Sequence, residues 1–134
     1  MLEYMLDTNI CIYVLKNRPP ALRNRFNREA ERLCISSITL SELRHGAEKS
    51  SRRADNMAVI DQFVARLDVL AFCASAAAHH GELRAALERL GRPAGVYDML
   101  IGAHARSEGL IVVTNNLREF ARMPGVRVEN WVDA

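Results

Sequence analysis

The chain has 134 residues, of which 49% are hydrophobic and 25% are charged, with a formal net charge of +2. These values are ordinary for a globular protein, and no apolar run reaches the roughly 20 residues that would span a bilayer. The N-terminus lacks a basic leader followed by an apolar stretch, so we expect one cytoplasmic domain, residues 1–134, with no membrane segment.

Short apolar runs alternate with segments of helical spacing along the chain. The first half predicts a strand at 2–6, a short helix at 10–16, a break at Pro19 and Pro20, a helix from 21, a strand at 33–36 and two further helices. Thr39 and Glu42 have the spacing of a capping box, so we expect the first of those two helices to begin at Thr39. Its inward stripe is then Leu40, Leu43 and Ala47.

The second half continues the alternation. It predicts a strand at 69–72, a long helix that Gly91 ends, a helix at 96–107, a strand at 110–113, a helical turn to 120 and an edge strand at 126–128. The uninterrupted aliphatic run at 110–113 is typical of a central parallel strand. Strands that alternate with helices imply crossover connections, so we expect an α/β fold with a mainly parallel sheet of four to five strands between helices.

Polar side chains follow three of these strands. The sets are Asp7, Thr8 and Asn9; Ser36 and Ser37, with Glu42 further along; and Thr114, Asn115 and Asn116, with Glu119 one turn later. In a parallel sheet they share the edge at which such sheets bind ligands. We expect Asp98 at the opposite edge, because it begins a helix that leads into a strand, unless the loop at 91–95 carries the chain back.

Carboxylates gathered at one edge have a specific chemistry. They repel one another unless a cation compensates, and hard divalent cations such as Mg²⁺ bind carboxylate, water and phosphate oxygens. Such an ion activates water and stabilises charge on an attacked phosphate. The side chains that would orient the carboxylates are Thr8, Asn9, Ser37, Thr114, Asn115 and Asn116. The pattern therefore favours a metal-dependent phosphodiesterase.

Taken singly, each acid also has a structural explanation. Asp7 is placed to cap a helix. Glu42 lies off the apolar stripe of its helix, as a surface residue or the second member of a capping box does. Asp98 and Glu119 are negative charges that the dipole of a helix start favours. Only their joint recurrence indicates a site.

The basic residues and the cysteines give less information. Lys16 and Lys49 are the only lysines, against sixteen arginines. Guanidinium groups suit phosphate contacts, but genomic base composition also explains this bias.

Cys11, Cys34 and Cys73 lie far apart in apolar neighbourhoods, so we expect buried free thiols rather than a metal or disulfide framework.

Four segments resemble the PIN-domain toxins of bacterial toxin–antitoxin modules, above all the VapC group. They are MLDTN, SSITLSELRHGAEKS, GRPAGVYDMLIGAHA and IVVTNNLREF, and they occur in the family's order and spacing over essentially the whole chain. The resemblance implies a three-layer α/β/α sandwich, usually homodimeric, with Mg²⁺-dependent ribonuclease activity in which Mn²⁺ can substitute. It also implies a cognate antitoxin, VapB, that covers the active site.

The resemblance carries over residue by residue. Asp7, Glu42 and Asp98 match the family's acidic triad, which brings Asp98 into the site. Many members have an aspartate where this chain has Asn116, and Glu119 is the expected replacement. On this basis Asp7, Asp98 and Glu119 bind the metal, and Glu42 positions or deprotonates the attacking water.

The same comparison suggests a substrate. GRPAGVYD and TNNLREF look most like the branch that cleaves initiator tRNA(fMet) in its anticodon stem-loop and so inhibits translation. The arginines that are candidates for holding RNA phosphates are Arg18, Arg23 and Arg25.

Two other hypotheses stay open at this point. Receiver domains and haloacid-dehalogenase-like phosphatases also place an aspartate after the first strand. The phosphatases require a second aspartate where Asn9 stands, however, and receivers require a late lysine, whereas no lysine follows Lys49. A non-catalytic, partner-binding module of the same fold is the second alternative. The presence of Asp7, Glu42 and Asp98 argues against it, although Asn116 leaves it some room.

Overall fold

A parallel β-sheet forms the middle of the molecule in the computed structural model, which describes residues 1–132. Its strands are β1 (Tyr4–Leu6), β2 (Leu33–Ser36), β3 (Asp68–Leu70), β4 (Ile111–Val113) and β5 (Arg127–Glu129). They lie in the order β3-β2-β1-β4-β5, and every pairing between them is parallel. The predicted α/β class is confirmed, and β5 is an edge strand as expected.

Helices cover both faces of this sheet. They are α1 (Thr8–Leu15), α2 (Pro20–Arg28), a 3₁₀ turn (Ala30–Arg32), α3 (Ser37–Glu48), α4 (Arg53–Val64), α5 (Ala74–Arg89), α6 (Val96–Glu108) and α7 (Leu117–Phe120). Among residues 1–132, no helix has both the length and the apolar character that crossing a membrane requires.

The two apolar cores follow from the alternation of side chains along each strand. Tyr4 and Leu6 of β1 face the core built with α1 to α4, where Leu22, Phe26 and Phe63 are buried. Met5 faces the opposite core, built mainly with α5, α6 and α7. Because successive residues of one strand fill different cores, short strands of continuous apolar sequence are enough to hold three layers together.

The strand order places a ligand-binding crevice beside β1. From β1 the chain proceeds through β2 to β3 on one side, and then returns to place β4 and β5 on the other. At such a reversal the connections that follow the neighbouring strands β1 and β4 go to opposite faces of the sheet. Their divergence opens a crevice at the carboxyl ends of the two strands. Asp7 follows β1 and Thr114 follows β4 at this crevice.

The predicted capping box at the start of α3 is wrong. The helix begins at Ser37, directly after β2, with Ser36 as its N-cap, and the Ser36 hydroxyl accepts a hydrogen bond from the Ile38 N–H at 3.0 Å. Because Ser36 satisfies that N–H group as soon as the strand ends, Thr39 lies inside the helix and is buried. Leu43 and Ala47 form the buried stripe as predicted.

The expected placement of Asp98 at the opposite edge is also wrong. Arg106, near the end of α6, donates hydrogen bonds to His79 and Glu82 in the first two-thirds of α5, both at 2.8 Å. The two helices are therefore antiparallel, and α5 returns the chain to the carboxyl edge before α6 begins. A helix that leads into a parallel strand runs opposite to that strand. Asp98, in the first turn of α6, therefore lies at the edge of the sheet where β4 ends.

The prediction of three buried thiols holds for two of them. Cys11 and Cys34 are buried, whereas Cys73 is exposed at the N-cap of α5. β3 ends at Leu70, and Cys73 lies in the short link that leaves the sheet, so the apolar character of its neighbours does not place it in a core.

Candidate active site

Asp7 lies at the centre of the carboxyl edge and is almost wholly buried, with 2% of its surface exposed. One carboxylate oxygen, Oδ1, accepts a hydrogen bond from the Ile10 N–H at 2.8 Å and so caps α1. The other, Oδ2, accepts one from the Thr114 hydroxyl at 2.6 Å. Burial raises the pKa of Asp7, the two hydrogen bonds oppose that rise, and the charge of Glu42 adds to it. Capping a helix and facing the crevice are thus combined in one side chain.

Glu42 is half-buried and faces α1 rather than solvent. Its Oε1 accepts a hydrogen bond from the Thr8 hydroxyl at 2.5 Å, and that hydroxyl also lies 3.4 Å from the hydroxyl of Thr39. Glu42 is therefore neither a free surface residue nor part of a capping box. The contact fixes its carboxylate beside the residue that follows Asp7.

Glu119 is held by groups from three segments. The Gly95 N–H before α6 donates to its Oε1, and the Asn116 side-chain amide donates to its Oε2 at 2.7 Å. Burial raises the pKa of Glu119, but hydrogen bonds from Gly95, Asn116 and Asp98, together with the positive charge of Arg122, outweigh burial and lower it. Glu119 is thus kept ionised.

Asp98 has the opposite behaviour. Burial, the charge and hydrogen bond of Glu119, and the charges of Asp7 and Glu42 raise the pKa of Asp98 to about 7. Protonation is therefore easier at Asp98 than at Glu119, with which it shares a hydrogen bond. All four predicted acids are close enough to influence one another through this one residue.

The charge of these four acids is not neutralised by ion pairs. Among the ion pairs of the described residues, none includes Asp7, Glu42, Asp98 or Glu119. A Cβ atom on Gly95 would lie 3.1 Å from Oε1 of Glu119 and 3.4 Å from Oδ2 of Asp98, so glycine leaves room for both carboxyl groups. Oxygen donors with excess negative charge suit a hard divalent cation.

The acids do not form a closed set of metal ligands. Within residues 1–132, no three His, Cys, Asp or Glu side chains are grouped in an arrangement that could by itself hold a metal ion. Mg²⁺ commonly binds through one or two carboxylates and retains water at its other positions. The donors that could serve such an ion are Asp7, Asp98 and Glu119, so the donor chemistry fits an open site.

The six predicted orienting residues divide into two groups. Thr8, Thr114 and Asn116 hydrogen-bond to the acids, as described above. In contrast, the Ser37 hydroxyl accepts a hydrogen bond from the Phe72 N–H at 3.1 Å, and the Asn115 amide donates to the Tyr13 hydroxyl at 3.4 Å. Asn9 is exposed on the first turn of α1. An orienting role for these last three stays a prediction.

The three candidate RNA-binding arginines differ in their surroundings. Arg23 donates a hydrogen bond to the Val14 carbonyl at 3.0 Å. Arg25 lies over the ring of Trp131 at 4.3 Å and 3.5 Å from Glu129. Arg18 is exposed. Two of these guanidinium groups therefore help to anchor α2, and phosphate binding stays a prediction for all three.

Three residues at the site were not predicted from the sequence: Gly95, Tyr97 and Arg122. Gly95 directly precedes a helix with an acid in its first turn, which is a signal for a close approach to that acid. Tyr97 adjoins Asp98, and it is 55% exposed. Arg122 follows Glu119 by three residues, a spacing that places the two side chains on one side of a helical turn.

The sheet order and the acids gathered at its carboxyl edge define a PIN-type α/β domain, and the family model of the PIN domain matches residues 4–126. The chain is 56% identical over 131 residues to "tRNA(fMet)-specific endonuclease VapC" of Shigella flexneri, a match that covers 98% of this chain and 99% of that protein. It is 54% identical over 132 residues to "Ribonuclease VapC2" of Haemophilus influenzae, with 98% and 100% covered.

A solved structure agrees with these relatives. The DNA-bound VapBC complex from Salmonella typhimurium contains a chain that superimposes on this one with a TM-score of 0.94 at 56% identity, covering 98% of this chain and 99% of that one. The chain therefore belongs to the VapC group of the PIN-domain family. The receiver or phosphatase hypothesis and the non-catalytic hypothesis find no support in relatives that are named as nucleases.

Proposed function

We propose that this protein is the ribonuclease toxin of a VapBC-type toxin–antitoxin module and that it cleaves initiator tRNA in the anticodon stem-loop. The convergence of Asp7, Glu42, Asp98 and Glu119, none of which forms an ion pair among the described residues, carries the proposal. The 56% identity to a tRNA(fMet)-specific endonuclease supports the choice of substrate.

The activity depends on Mg²⁺, for which Mn²⁺ substitutes, held by Asp7, Asp98 and Glu119. If these residues held a divalent ion, it would supply Lewis-acid chemistry, activating water and offsetting negative charge on the attacked phosphate. Burial and, after it, the charges of Glu119, Asp7 and Glu42 raise the pKa of Asp98 to about 7. The contribution of these charges supports the assignment, because a cation would relieve their repulsion.

The other side chains orient this set. Thr114 holds one oxygen of Asp7 while Ile10 holds the other, so the carboxylate has one fixed direction. Thr8 fixes Oε1 of Glu42, and Glu42 positions the attacking water or accepts its proton. Each acid is therefore placed before substrate arrives, which reduces the reorganisation that the reaction requires.

The partner is an antitoxin of the VapB type that covers this site. The Salmonella relative is known as a VapBC complex bound to DNA. An apolar groove of about 400 Å³ between α1, α3 and α4 adjoins the site, with Ile12, Leu15 and Val59 among its walls and Glu42 at its border. This groove would receive apolar side chains of the antitoxin. The homodimer and the cytoplasmic location remain our expectations for a toxin that acts on tRNA.

Mapping of RNA ends tests the proposal. Purified protein is incubated with total RNA and Mg²⁺, with and without EDTA, beside an Asp98→Ala variant. We expect new ends in the anticodon stem-loop of initiator tRNA that EDTA and the substitution both remove. Cleavage that persists in EDTA would contradict a metal-dependent reaction, and ends confined to other RNAs would contradict the substrate.

Treatment of the protein with a mimic of an acyl phosphate distinguishes a phosphoacceptor from the proposed ribonuclease. We expect no stable adduct at Asp7, because the proposed attack on the phosphodiester is made by water. A stoichiometric adduct at Asp7 would favour the phosphoacceptor.

A further inference from the structure

A second, more polar cavity opens beside the acids. It has a volume of about 370 Å³ and is lined by Ser41, Glu42, His45 and Tyr97. Ser41 and His45 are four residues apart, so they project from one side of α3. Tyr97 comes from the first turn of α6, one residue before Asp98. The walls of the cavity therefore belong to the same two helices that carry Glu42 and Asp98.

Tyr97 is unusual for its position. The residue is 55% exposed, whereas Met99, two residues later on the same helix, is buried. Leaving a large aromatic side chain in water forgoes burial that would stabilise the fold. Single exposed apolar residues are common, but this one forms the wall of a cavity that borders the proposed reaction centre.

We propose that this cavity is a nucleobase subsite, in which Tyr97 stacks on an unpaired base adjacent to the scissile phosphate. The assignment rests on the proposed ribonuclease function. Aromatic side chains are the common platforms for unstacked RNA bases, and the volume falls within the range of small-molecule pockets, about 300–1,000 Å³. The Ser41 hydroxyl and the His45 imidazole can each donate or accept at the edge of the base.

The subsite gives a physical reason for selecting unpaired RNA. A base inside a duplex is stacked and paired, and extruding it costs free energy that an unpaired loop base does not require. A phosphodiester next to a loop base would therefore reach Asp98 and Glu42 more readily than one within a stem. Tyr97 binds substrate in this account and takes no part in proton transfer.

A combined substitution in protein and RNA tests the subsite. Wild type, Tyr97→Ala, Tyr97→Phe and Leu90→Ala are compared on a stem-loop RNA that contains the mapped cleavage site, and on versions with an abasic nucleotide at each flanking position. Leu90 is the matched control, since it is 61% exposed at the end of α5 and does not line the cavity. The measurement is kcat/KM for each pair, together with capture of the antitoxin by each variant.

At one flanking position we expect the abasic RNA to lower wild-type kcat/KM by roughly 5- to 150-fold, the range of base–aromatic stacking. Tyr97→Ala should show a similar loss on the intact RNA and little further loss on the abasic RNA. Tyr97→Phe keeps the stacking face, so it should cleave like wild type, as should Leu90→Ala.

Several results would overturn the subsite while leaving the ribonuclease intact. In the first, Tyr97→Ala cleaves the intact RNA as fast as wild type does. In the second, the abasic nucleotide lowers kcat/KM as much for Tyr97→Ala as for wild type. In the third, wild type cleaves every abasic RNA as fast as the intact one. The last comparison uses no variant, so it holds even if Tyr97→Ala misfolds. Loss of antitoxin capture with unchanged cleavage would assign the cavity to that partner instead. Failure of wild type to cleave any RNA would remove the proposed function itself.

Discussion

Asp98 and Glu119 show how the fold holds two carboxyl groups in contact. Their pKa values shift in opposite directions, which favours protonation of Asp98 over protonation of Glu119. Burial and the surrounding charges raise the pKa of Asp98 to about 7, whereas hydrogen bonds from Gly95 and Asn116 keep Glu119 ionised. Ionisation of Asp98 lowers the stability of the fold, because the two carboxylates then repel each other.

Asp98→Asn should stabilise the metal-free protein while abolishing cleavage. The asparagine amide can donate to Glu119 as the protonated carboxyl does, but it adds no charge at mildly alkaline pH. We expect the melting temperature in EDTA to rise by a few degrees, as scanning calorimetry would measure. Asp55→Asn is the control, because Asp55 is exposed and pairs with Arg52, and it should bring no gain. A lower melting temperature for Asp98→Asn would show that the carboxyl group is not strained by its neighbours.

Thr114→Val tests the orientation of Asp7. Valine has nearly the same shape as threonine, but it loses the hydrogen bond of 2.6 Å to Asp7 and the one of 2.8 Å from the Asn116 N–H. The pKa of Asp7 should rise, since that hydrogen bond opposes the effect of burial. We expect cleavage to fall by about 10- to 100-fold, with a pH profile displaced to higher pH. Thr114→Ser should restore most of the activity, and a variant with wild-type rates would exclude this role.

At the level of elements, a buried contact links the helices that carry Glu42 and Asp98. His104 of α6 is buried, and its Nδ1 lies 2.8 Å from the hydroxyl of Ser36, the N-cap of α3. The ring of Phe72 packs edge-on against His104 at 5.4 Å. This contact fixes the first turn of α3 against the middle of α6.

His104 should make stability depend on pH. Burial lowers its pKa below the usual 6.5, although the charge of Glu108 and a backbone contact to Ala71 act in the opposite direction. Below about pH 6.5 the unfolded chain binds a proton that the folded protein does not. The free energy of unfolding should therefore fall as the pH decreases from there toward the folded pKa.

His104→Gln should reduce this slope in a series of denaturant titrations, because glutamine can retain a hydrogen bond to Ser36 without titrating. His45→Gln, a change at an exposed position, serves as the matched control and should keep the wild-type slope. Equal slopes for His104→Gln and wild type would refute the link.

The packing of α6 against the segment after α7 depends on a missing side chain. A Cβ atom on Gly102 would lie 2.6 Å from the sulfur of Met123, which is itself buried. Gly102→Ala should therefore lower the free energy of unfolding by about 1–3 kcal/mol through overpacking.

Gly81→Ala is the control in α5, where no atom lies within 4 Å of the added carbon. It should raise stability by up to about 1 kcal/mol through helix propensity. Chemical denaturation measures both variants. If both substitutions raised the free energy of unfolding, the side chain of Met123 would be able to move away from the added carbon without destabilising the fold.

For the whole molecule, the strands were the most predictable part of the fold. A strand covered on both faces requires apolar residues throughout, which is why the run at 33–36 predicts β2 with its observed bounds, Leu33–Ser36. Strand direction was predictable too, since the alternation of strands with helices implied crossover connections and every pairing is parallel. The start of α3 was missed because Ser36, within the strand, satisfies the helix N-terminus before Thr39.

The site was predictable only where its residues follow strands. Asp7 and Thr114 come directly after β1 and β4, so the parallel sheet alone brings them together. Asp98 was expected at the wrong edge because α6 was taken to begin at the edge opposite the strand ends, whereas a helix that leads into a parallel strand runs opposite to that strand. Family resemblance supplied that residue. Tyr97 was missed because an exposed aromatic residue gives no periodic signal.

Calorimetric titration of Mn²⁺ into metal-free protein tests most directly whether these carboxylates bind a divalent ion together. We expect binding by wild type that is weakened more than about tenfold in both Asp7→Asn and Asp98→Asn, and that is unchanged in the surface control Asp55→Asn. Isotherms that superimpose for wild type and the two site variants would contradict the account, because the ion would then bind elsewhere or not at all.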